Sequence, residues 1–306
     1  MPSLERITIY PVKSLDGIDL ESSPVLPCGA LEHDRRWRLI DEDGRVVNAK
    51  RTPLLHGIRA AFDLGSDGTT GPGKRIVALS ITSAPVGSAG HRREGLPPAA
   101  YPIIPGPAGP CDWLSEALGQ KVLLEERPDG GFPDDRDSPG ATLVATASLA
   151  EVGRWFSLPL DEVRRRFRVN LEVGGCDPFW EDTLASPARQ PPWPTIGELD
   201  PALPLDPYAA LPSPEPLAFM AGAVRFAAVN VCRRCPVPSR DSSSGRPVEH
   251  FREAFESWRR RRLRQDVDPS AWGGLYRLAI NTLGDGRGGS LQLGDSVVAI
   301  PPPSRH

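Results

Sequence analysis

The sequence lacks the features that would place it among secreted, membrane-spanning or nucleic-acid-binding proteins. It contains only five cysteines, an odd number at irregular spacing, so a disulfide framework is not expected and a reducing compartment is favoured. No run approaches about 18 consecutive apolar residues, and the first residues, MPSLERITIYPVKSL, contain no apolar segment of the secretory type. The net charge is only -3, so neither nucleic acid nor an anionic membrane surface is an expected partner. We therefore expect a cytoplasmic protein without a membrane span.

Proline is the residue in excess, with 35 among 306 positions. Because proline lacks a backbone N–H and fixes φ, this content disfavours long helices and favours short strands, turns and loops. The chain is long enough for one large domain or two ordinary ones, and a core of that size needs no structural metal. Prolines are dense in residues 185–216, which we predict to form an inserted surface loop.

The hydrophobic periodicity predicts strands over most of the chain and about three helices. Residues 167–173 alternate apolar and polar side chains, which predicts a strand with Arg168 and Asn170 on its polar face. Ser148 lies three residues before Glu151, a spacing that predicts a helix cap at Ser148. Two more helices are predicted at residues 112–119 and 249–264, further strands at residues 7–10, 37–40, 75–82, 142–145 and 223–231, and a strand-turn-strand pattern at residues 291–298.

Cys232 and Cys235 are the only cysteines close together in the sequence, and they allow four interpretations. A structural zinc site needs four ligands, and the other cysteines stand singly and far away. A dithiol redox centre of the thioredoxin kind places a helix after the pair, which Pro236 and Pro238 disfavour. The pair can also be packed cysteines in a turn between a strand and a loop.

The fourth interpretation is a single reactive thiolate. Arg233, Arg234 and Arg240 lie close to the pair in sequence. Nearby cations lower the pKa of a thiol and favour the thiolate, which is the form that binds soft metals. Residue chemistry alone leaves these four interpretations open.

The run NVCRRCPVPSRDSSSG at residues 230–245 resembles the signature loop of MOSC domains, a family named after the C-terminal domain of molybdenum cofactor sulfurase. Other blocks resemble the family in the same order along the chain: YPVKS at 10–14, DRRW at 34–37, RFRVN at 166–170, GCD at 175–177, ED at 181–182, YRLAINT at 276–282 and GD at 294–295. The resemblance covers nearly the whole chain. It implies a mainly β (α+β) fold, with an N-terminal MOSC β-barrel domain over residues 1–125 and a MOSC β-barrel with a few helices over residues 140–300, the latter holding the 185–216 insertion.

The resemblance also implies a site for the molybdenum cofactor, molybdenum bound to molybdopterin. Cys235 would be the metal ligand, and Asp241, near it in sequence, is a candidate for handling protons. The residues implied to hold the pterin and its phosphate are Lys13, Ser14, Arg35, Ser148, Arg168 and Asn170. Arginine suits this task because its planar guanidinium grips phosphate through two hydrogen bonds. Simpler roles remain open: a solvated Lys13, an Arg35 paired with Asp34, and a Ser148 that only caps a helix.

Amidoxime-reducing proteins are among the characterised members of the family, so the resemblance implies a molybdenum-dependent oxidoreductase that acts on N-hydroxylated small molecules. The chain has no ferredoxin-like cysteine cluster, so its electrons would come from a separate protein of the cytochrome b5 or ferredoxin type. An alternative is a sulfur-carrier or cofactor-handling protein that uses a Cys235 persulfide or thiolate. The missing aminotransferase-like domain weighs against this alternative, although pyridoxal phosphate binding is associated with the family. A fold that has lost its cofactor and an association with mitochondria also remain open.

Overall fold

The computed structural model describes residues 1–65, 75–83, 86–88, 91–93, 96–185, 217–265, 267, 269 and 272–300. Strands predominate in these residues, and four α-helices accompany them. The mainly β fold class is therefore confirmed. Except for its first residue, the predicted insertion at 185–216 lies outside the described residues.

The strands are short, as the proline content indicates. They are β1 Ser3–Ile9, β2 Ile18–Leu20, β3 Ser22–Val25, β4 Trp37–Ile40, β5 Val46–Val47, β6 Ile58–Gly65, β7 Arg75–Ser83, β8 Val86–Ser88, β9 His91–Arg93, β10 Ala99–Tyr101, β11 Leu123–Glu126, β12 Leu143–Ala145, β13 Leu171–Gly174, β14 Ala218–Ala221, β15 Val224–Arg233, β16 Arg277–Gly284, β17 Gly289–Gln292 and β18 Val297–Ile300. The helices are α1 Cys111–Leu118, α2 Thr146–Phe156, α3 Leu160–Phe167 and α4 Phe251–Arg261, with short 3-10 helices at Pro53–Gly57, Trp180–Leu184 and Val237–Ser239.

The largest sheet has eight strands in the order β18-β14-β15-β16-β12-β13-β1-β2. Strand β1 pairs antiparallel with β13, and β12 pairs parallel with β13. Strands β1 and β2 therefore extend a sheet that is built mainly from residues after position 140. The division into domains at residues 1–125 and 140–300 stays a prediction.

The apolar pattern of β1 shows how the sequence directs this pairing. Leu4, Ile7 and Ile9 are all buried, although residues 4 and 7 are an odd number of positions apart. The register with β13 shifts between Leu4 and Arg6, and this β-bulge returns the next apolar residue to the core face. The bulge therefore explains why the alternation of β1 is imperfect.

The remaining strands form small sheets. β10, β7 and β6 make one three-stranded sheet and β11, β4 and β5 another, while β17 pairs with β3 and β8 with β9. In the part of the chain that the structure describes, these are open sheets and no closed barrel is found. None of the helices in that part is long and apolar enough to cross a membrane.

Two helices agree with the predictions, and two differ from them. The predicted helices at 112–119 and 249–264 correspond to α1 and α4. The predicted cap at Ser148 is wrong, because α2 begins at Thr146 and the Ser148 hydroxyl bonds to Glu181 within the core. The predicted strand at 167–173 is wrong in its first half. Phe167 ends α3 and packs against Phe255, so the strand begins only at Leu171.

Candidate functional site

A cavity of about 490 Å³ opens between the loop after β1, the segment before β4, the turn between α3 and β13, and the end of β15. Eleven lysine and arginine side chains line it, against four aspartates. The whole chain has a net charge of -3, so this positive charge is a local concentration. A cleft lined by one sign of charge concentrates ligands of the opposite sign, and the cavity is therefore suited to an anion.

Six of the eight residues predicted for the site line this cavity, although they are spread through the sequence. They are Lys13, Ser14, Arg35, Arg168, Asn170 and Cys235. Ser148 and Asp241 do not line it. The roles of the six stay predictions, but the fold brings them to one place.

Three of these residues have an unusual backbone conformation. The φ angles of Ser14, Arg35 and Arg168 are 76°, 50° and 54°, in the left-handed region that residues other than glycine seldom occupy. Arg168 adopts it because it ends α3, with its N–H donating to the carbonyl of Arg164. Non-glycine residues held in this region cluster at functional sites, and here all three face one cavity.

Lys13 is held at the wall of the cavity. Its Nζ donates to the carbonyl oxygens of Phe132 at 3.0 Å and Pro133 at 3.2 Å, and lies 3.0 Å from the carboxylate of Asp134. Burial lowers the pKa of Lys13, against the opposing effect of Asp134. Lys13 is therefore not a freely solvated lysine, and the segment that carries Asp134 fixes its position.

Arg35 pairs with its neighbour Asp34, as the simpler interpretation allowed, but this pair faces the cavity. The Asp34 carboxylate also accepts a hydrogen bond from the backbone N–H of Tyr10 at 2.8 Å, which fixes the pair to the end of β1. The Arg35 Nε lies 3.5 Å from Asp134. Burial opposes the charge of Arg35, but Asp34 and Asp134 outweigh it and raise the pKa of the guanidinium.

Arg168 and Asn170 have different parts in the wall. The Arg168 guanidinium stacks over the ring of Tyr10 at 4.2 Å, and no acidic side chain among the described residues forms an ion pair with it. Asn170 is fully engaged: its Nδ2 donates to the carbonyl of Thr8 at 3.0 Å, and its Oδ1 accepts from the N–H of Thr142 at 3.1 Å. Arg168 is therefore available to a ligand, whereas Asn170 positions the segment around it.

The two cysteines of the pair have different environments. Cys232 is buried at the end of β15, and its thiol donates to Asn281 Oδ1 at 2.7 Å. Burial raises the pKa of Cys232 to about 12, so this residue stays a thiol. Cys235 lies three residues beyond, is only half-buried and lines the cavity. Cys235 is thus the member of the pair that a ligand in the cavity can reach.

These environments bear on the alternatives for the pair. A thioredoxin-like centre needs an acidic first cysteine, whereas the pKa of Cys232 is raised. Among residues that the structure describes, no three His, Cys, Asp or Glu side chains come together as a metal site. The pair therefore has no neighbouring residues in that part of the chain to complete a zinc centre.

Ser148 lies in a buried polar cluster apart from the cavity. Its hydroxyl donates to Glu181 Oε2 at 2.8 Å and accepts the backbone N–H of Phe179 at 2.6 Å. Burial, together with the neighbouring charge of Asp182, raises the pKa of Glu181 from 4.5 to about 8. The Ser148 side chain therefore binds a buried carboxyl group whose pKa is raised.

Glu181→Gln is expected to flatten the dependence of stability on pH. The pKa of Glu181 is raised by folding, so between pH 4.5 and 8 the folded state holds a proton that the unfolded state has lost. Stability is then full below the unfolded pKa and falls as pH rises, with a slope of up to about 1.4 kcal/mol per pH unit. Urea unfolding of both chains at pH 5 and pH 8 checks this, with Glu253→Gln at an exposed position as control. A native chain whose pH dependence parallels that of Glu181→Gln would contradict it.

Asp241 stabilises its own loop and stands outside the cavity. Its Oδ1 accepts the backbone N–H of Ser244 at 2.8 Å and that of Ser243 at 3.2 Å, and both hydroxyls at 2.7 Å. Burial opposes its ionised form, but these hydrogen bonds hold its pKa well below the usual range. An acid that stays ionised is poorly suited to donate a proton, so a role in loop structure is favoured.

Sequence reasoning missed several lining residues that shape the site. Asp134 contacts both Lys13 and Arg35. Arg277 is the cross-strand partner of Arg233 on the neighbouring strand. Asp134 stood in a run of aspartates without a distinguishing pattern, and Arg277 lay unremarked within the YRLAINT block. Only the register between β15 and β16 shows that Arg277 lies beside Arg233, and no sequence motif gives that register.

Comparison with known proteins agrees with the sequence motifs. Residues 1–91 match the family model described as MOSC N-terminal beta barrel domain. A protein named molybdenum cofactor sulfurase from Drosophila yakuba is 30% identical over 192 residues, which cover 60% of this chain and 24% of that protein. The protein of the same name from Oryza sativa subsp. japonica is 27% identical over 216 residues, covering 58% of this chain and 25% of that protein. The resemblance to MOSC proteins is confirmed.

The chain spans about a quarter of the length of the curated relatives it matches. Among solved structures, the YUAD protein from Bacillus subtilis aligns with 98% of this chain and 96% of its own, at 10% sequence identity and a TM-score of 0.35. A score of that size does not establish a shared fold.

Proposed function

We propose that this chain, a MOSC protein related in sequence to molybdenum cofactor sulfurases, binds the molybdenum cofactor in its cationic cavity and reduces N-hydroxylated small molecules. The observation that carries the proposal is the convergence of Lys13, Arg35, Arg168 and Cys235 on one cavity. The cofactor has a phosphate and a dithiolene, both anionic, so it needs cations at one end and a soft ligand at the other.

The donors of the cavity fit such a group. The half-buried Arg168 guanidinium has no ion-pair partner among the described acids, so this cation of the wall is not neutralised by the protein. An anionic ligand would neutralise it. Cys235 adds a half-buried thiol, the ligand type that suits a soft metal.

In this proposal each residue has a definite task. Lys13 and Arg35 bind the phosphate, with Ser14 beside them, and Arg168 binds the pterin end. Cys235 supplies a thiolate, and the bound group then provides two-electron redox chemistry at the metal. Asn170 holds Thr8 and Thr142 together, which keeps Arg168 aimed into the cavity.

The reaction breaks one N–O bond. An N-hydroxylated substrate takes up two electrons and two protons and gives the N–H product and water. Electrons arrive singly from a separate one-electron carrier, of the cytochrome b5 or ferredoxin type, and the protons come from water. The ionised Asp241, outside the cavity, has no part in this proton supply.

Turnover of N-hydroxybenzamidine with reduced methyl viologen tests the proposal. The full chain, purified from a host that makes the cofactor, is expected to release benzamidine at about 10 per second, the median turnover rate of enzymes. Cys235→Ser should reduce this rate at least about a hundredfold, because the thiolate contacts the reacting centre. A molybdenum-loaded chain that forms no benzamidine above the rate without protein would overturn the reductase function.

A sulfur-carrier or cofactor-handling function is the second candidate. The names of the curated relatives favour it, as does the accessible position of Cys235 at the cavity wall. In this case Cys235 would carry a persulfide, and the extra sulfur atom would raise the mass of the chain by about 32 Da. Mass spectrometry of the intact chain, before and after cyanide treatment, separates this candidate from a reductase that lacks labile sulfur.

A further inference from the structure

Two arginines lie directly opposite each other beside the cysteine pair. Arg233 ends β15 and Arg277 begins β16, and the antiparallel register makes them cross-strand partners. Both line the cavity. Like charges placed directly opposite in a sheet destabilise it, so this pairing is unfavourable by itself. The unfavourable pairing of Arg233 with Arg277 therefore needs a compensating interaction.

The described residues do not neutralise this pair. No acidic side chain among them forms an ion pair with Arg233, Arg277 or the adjacent Arg234. Arg277 Nη1 donates to the carbonyl of Val231 at 2.6 Å, while its Nε is buried without a partner. Burial and the neighbouring charge of Arg233 lower the pKa of Arg277.

The other polar group nearby does not remove this excess. The carboxylate of Asp135 lines the same cavity, but it accepts a hydrogen bond from Asn281 Nδ2 at 3.1 Å. Arg234 uses its Nη2 on the carbonyl of Phe167, and its Nε is also buried and unpartnered. Arg234 and Arg277 thus each have a buried donor without a partner, and the exposed Arg233 lies directly opposite Arg277.

The tasks proposed above for the cavity residues leave these three arginines without an assigned anion. The phosphate of the cofactor is assigned to Lys13 and Arg35, and a phosphate monoester carries at most about two negative charges. Elsewhere in the lining, Arg165 and Arg166 pair with Glu162, and Arg59 pairs with Asp16. Arg233, Arg234 and Arg277 have no acidic partner among the described residues, so their charge is available to a different anion.

We infer that Arg233, Arg277 and Arg234 form an anion subsite beside Cys235, and that the substrates of this protein carry a carboxylate that binds there. The planar forks of guanidinium groups match the two oxygens of a carboxylate. The term substrate rests on the proposed reductase function, whereas the subsite rests on the geometry alone. A bound carboxylate would offset the repulsion between the cross-strand arginines.

Binding of benzoate to the full chain tests the subsite without any turnover. Isothermal titration is expected to show binding that Arg233→Gln and Arg277→Gln each weaken about tenfold, the usual effect of losing one charge-assisted hydrogen bond. Lys50→Gln removes one cation from the same cavity away from the cysteine pair and should change the affinity less than about twofold. Absence of benzoate binding, or equal losses in all three variants, would overturn the subsite.

Thermal unfolding without ligand gives a second, independent measurement. Arg233 is exposed, so Arg233→Gln should fold, and removal of the like-charge pair should raise the midpoint by about 1–2 °C. Saturating benzoate should then stabilise the native chain more than the variant. A lower midpoint for the unliganded variant would show that Arg233 stabilises the fold, and the inference would fail.

Turnover decides the substrate class. The native chain should use N-hydroxybenzamidine with a para-carboxylate about tenfold better in kcat/KM than the neutral compound, mainly through KM. In Arg233→Gln this ratio should fall to about one. If neither compound is reduced, the reductase function fails while benzoate binding still decides the subsite. If benzoate binds but the two compounds are reduced equally well, the subsite stands and the inferred substrate class is wrong.

Discussion

Cys235→Ser is expected to lose most of its molybdenum, whereas Cys232→Ser keeps it. Cys235 is half-buried at the cavity wall, where its sulfur can reach a ligand. A serine oxygen there is a hard ligand that replaces a soft one, so we expect the metal content after gel filtration to fall more than about tenfold. Cys232 is a buried thiol that only donates to Asn281, and a serine hydroxyl at this position can make the same bond.

The measurement is metal per chain by elemental mass spectrometry, together with pterin fluorescence after acid oxidation. The two serine variants are a matched pair, since they make the same atomic change three residues apart. Equal losses in both would mean that the pair acts as a unit, which contradicts the assignment of the metal to Cys235. A native chain without molybdenum or pterin, when a known molybdenum enzyme is loaded in the same host, would overturn the cofactor itself.

Arg259→Met is expected to reduce the free energy of unfolding by about 3–5 kcal/mol, the effect of breaking a fully buried ion pair. The side chains of Arg259 and Asp182 are both 0% exposed and paired, so the variant removes the cation that faces a buried carboxylate. The guanidinium also stacks over Phe179 at 4.1 Å. This contact between α4 and the 3-10 helix Trp180–Leu184 lies apart from the cavity, so the folded variant should still bind cofactor.

Urea unfolding at pH 7 measures this loss. Arg260→Met makes the same change on the next residue of α4, which is exposed, and should shift the free energy by less than about 0.5 kcal/mol. Arg259→Lys keeps the charge but not the planar fork, and should fall between the two. If Arg259→Met were as stable as Arg260→Met, the buried ion pair would contribute no net stability, and the expectation would be wrong.

The sequence was sufficient for the features that depend on neighbouring residues. The apolar spacing of Phe251, Phe255 and Trp258 predicted α4, and the proline content predicted short strands. It failed where a tertiary contact overrode a local pattern. Ser148 has the spacing of a helix cap, but its hydroxyl donates a hydrogen bond to Glu181. Phe167 continues the alternation of a strand, but it ends α3 and its ring packs against Phe255.

The sequence predicted most of the residues that meet at the cavity, whose roles stay predictions, but not the balance of charge there. Family motifs identified Lys13, Arg35 and Cys235, and the fold brings all three to one cavity. The opposition of Arg233 and Arg277 depends on a strand register across 44 positions of sequence, which a single sequence does not contain. The repulsion between these two arginines arises only when the strands pair, so it cannot be predicted from composition. The net charge of the chain is in fact slightly negative.

The pairing of β1 with β13 has a consequence for how the chain is made. The two strands are joined through Ile7 and Leu171, so β1, which pairs with the nearby β2 on one side, waits for its partner on the other side, made more than 160 residues later. At about 5–20 residues per second this delay lasts roughly 10–30 seconds. During that time the β13 edge of β1 is unpaired, and contacts so distant in sequence form slowly. Newborn chains should therefore depend on holding chaperones, and variants that slow synthesis before β13 should aggregate more without any change in the finished protein.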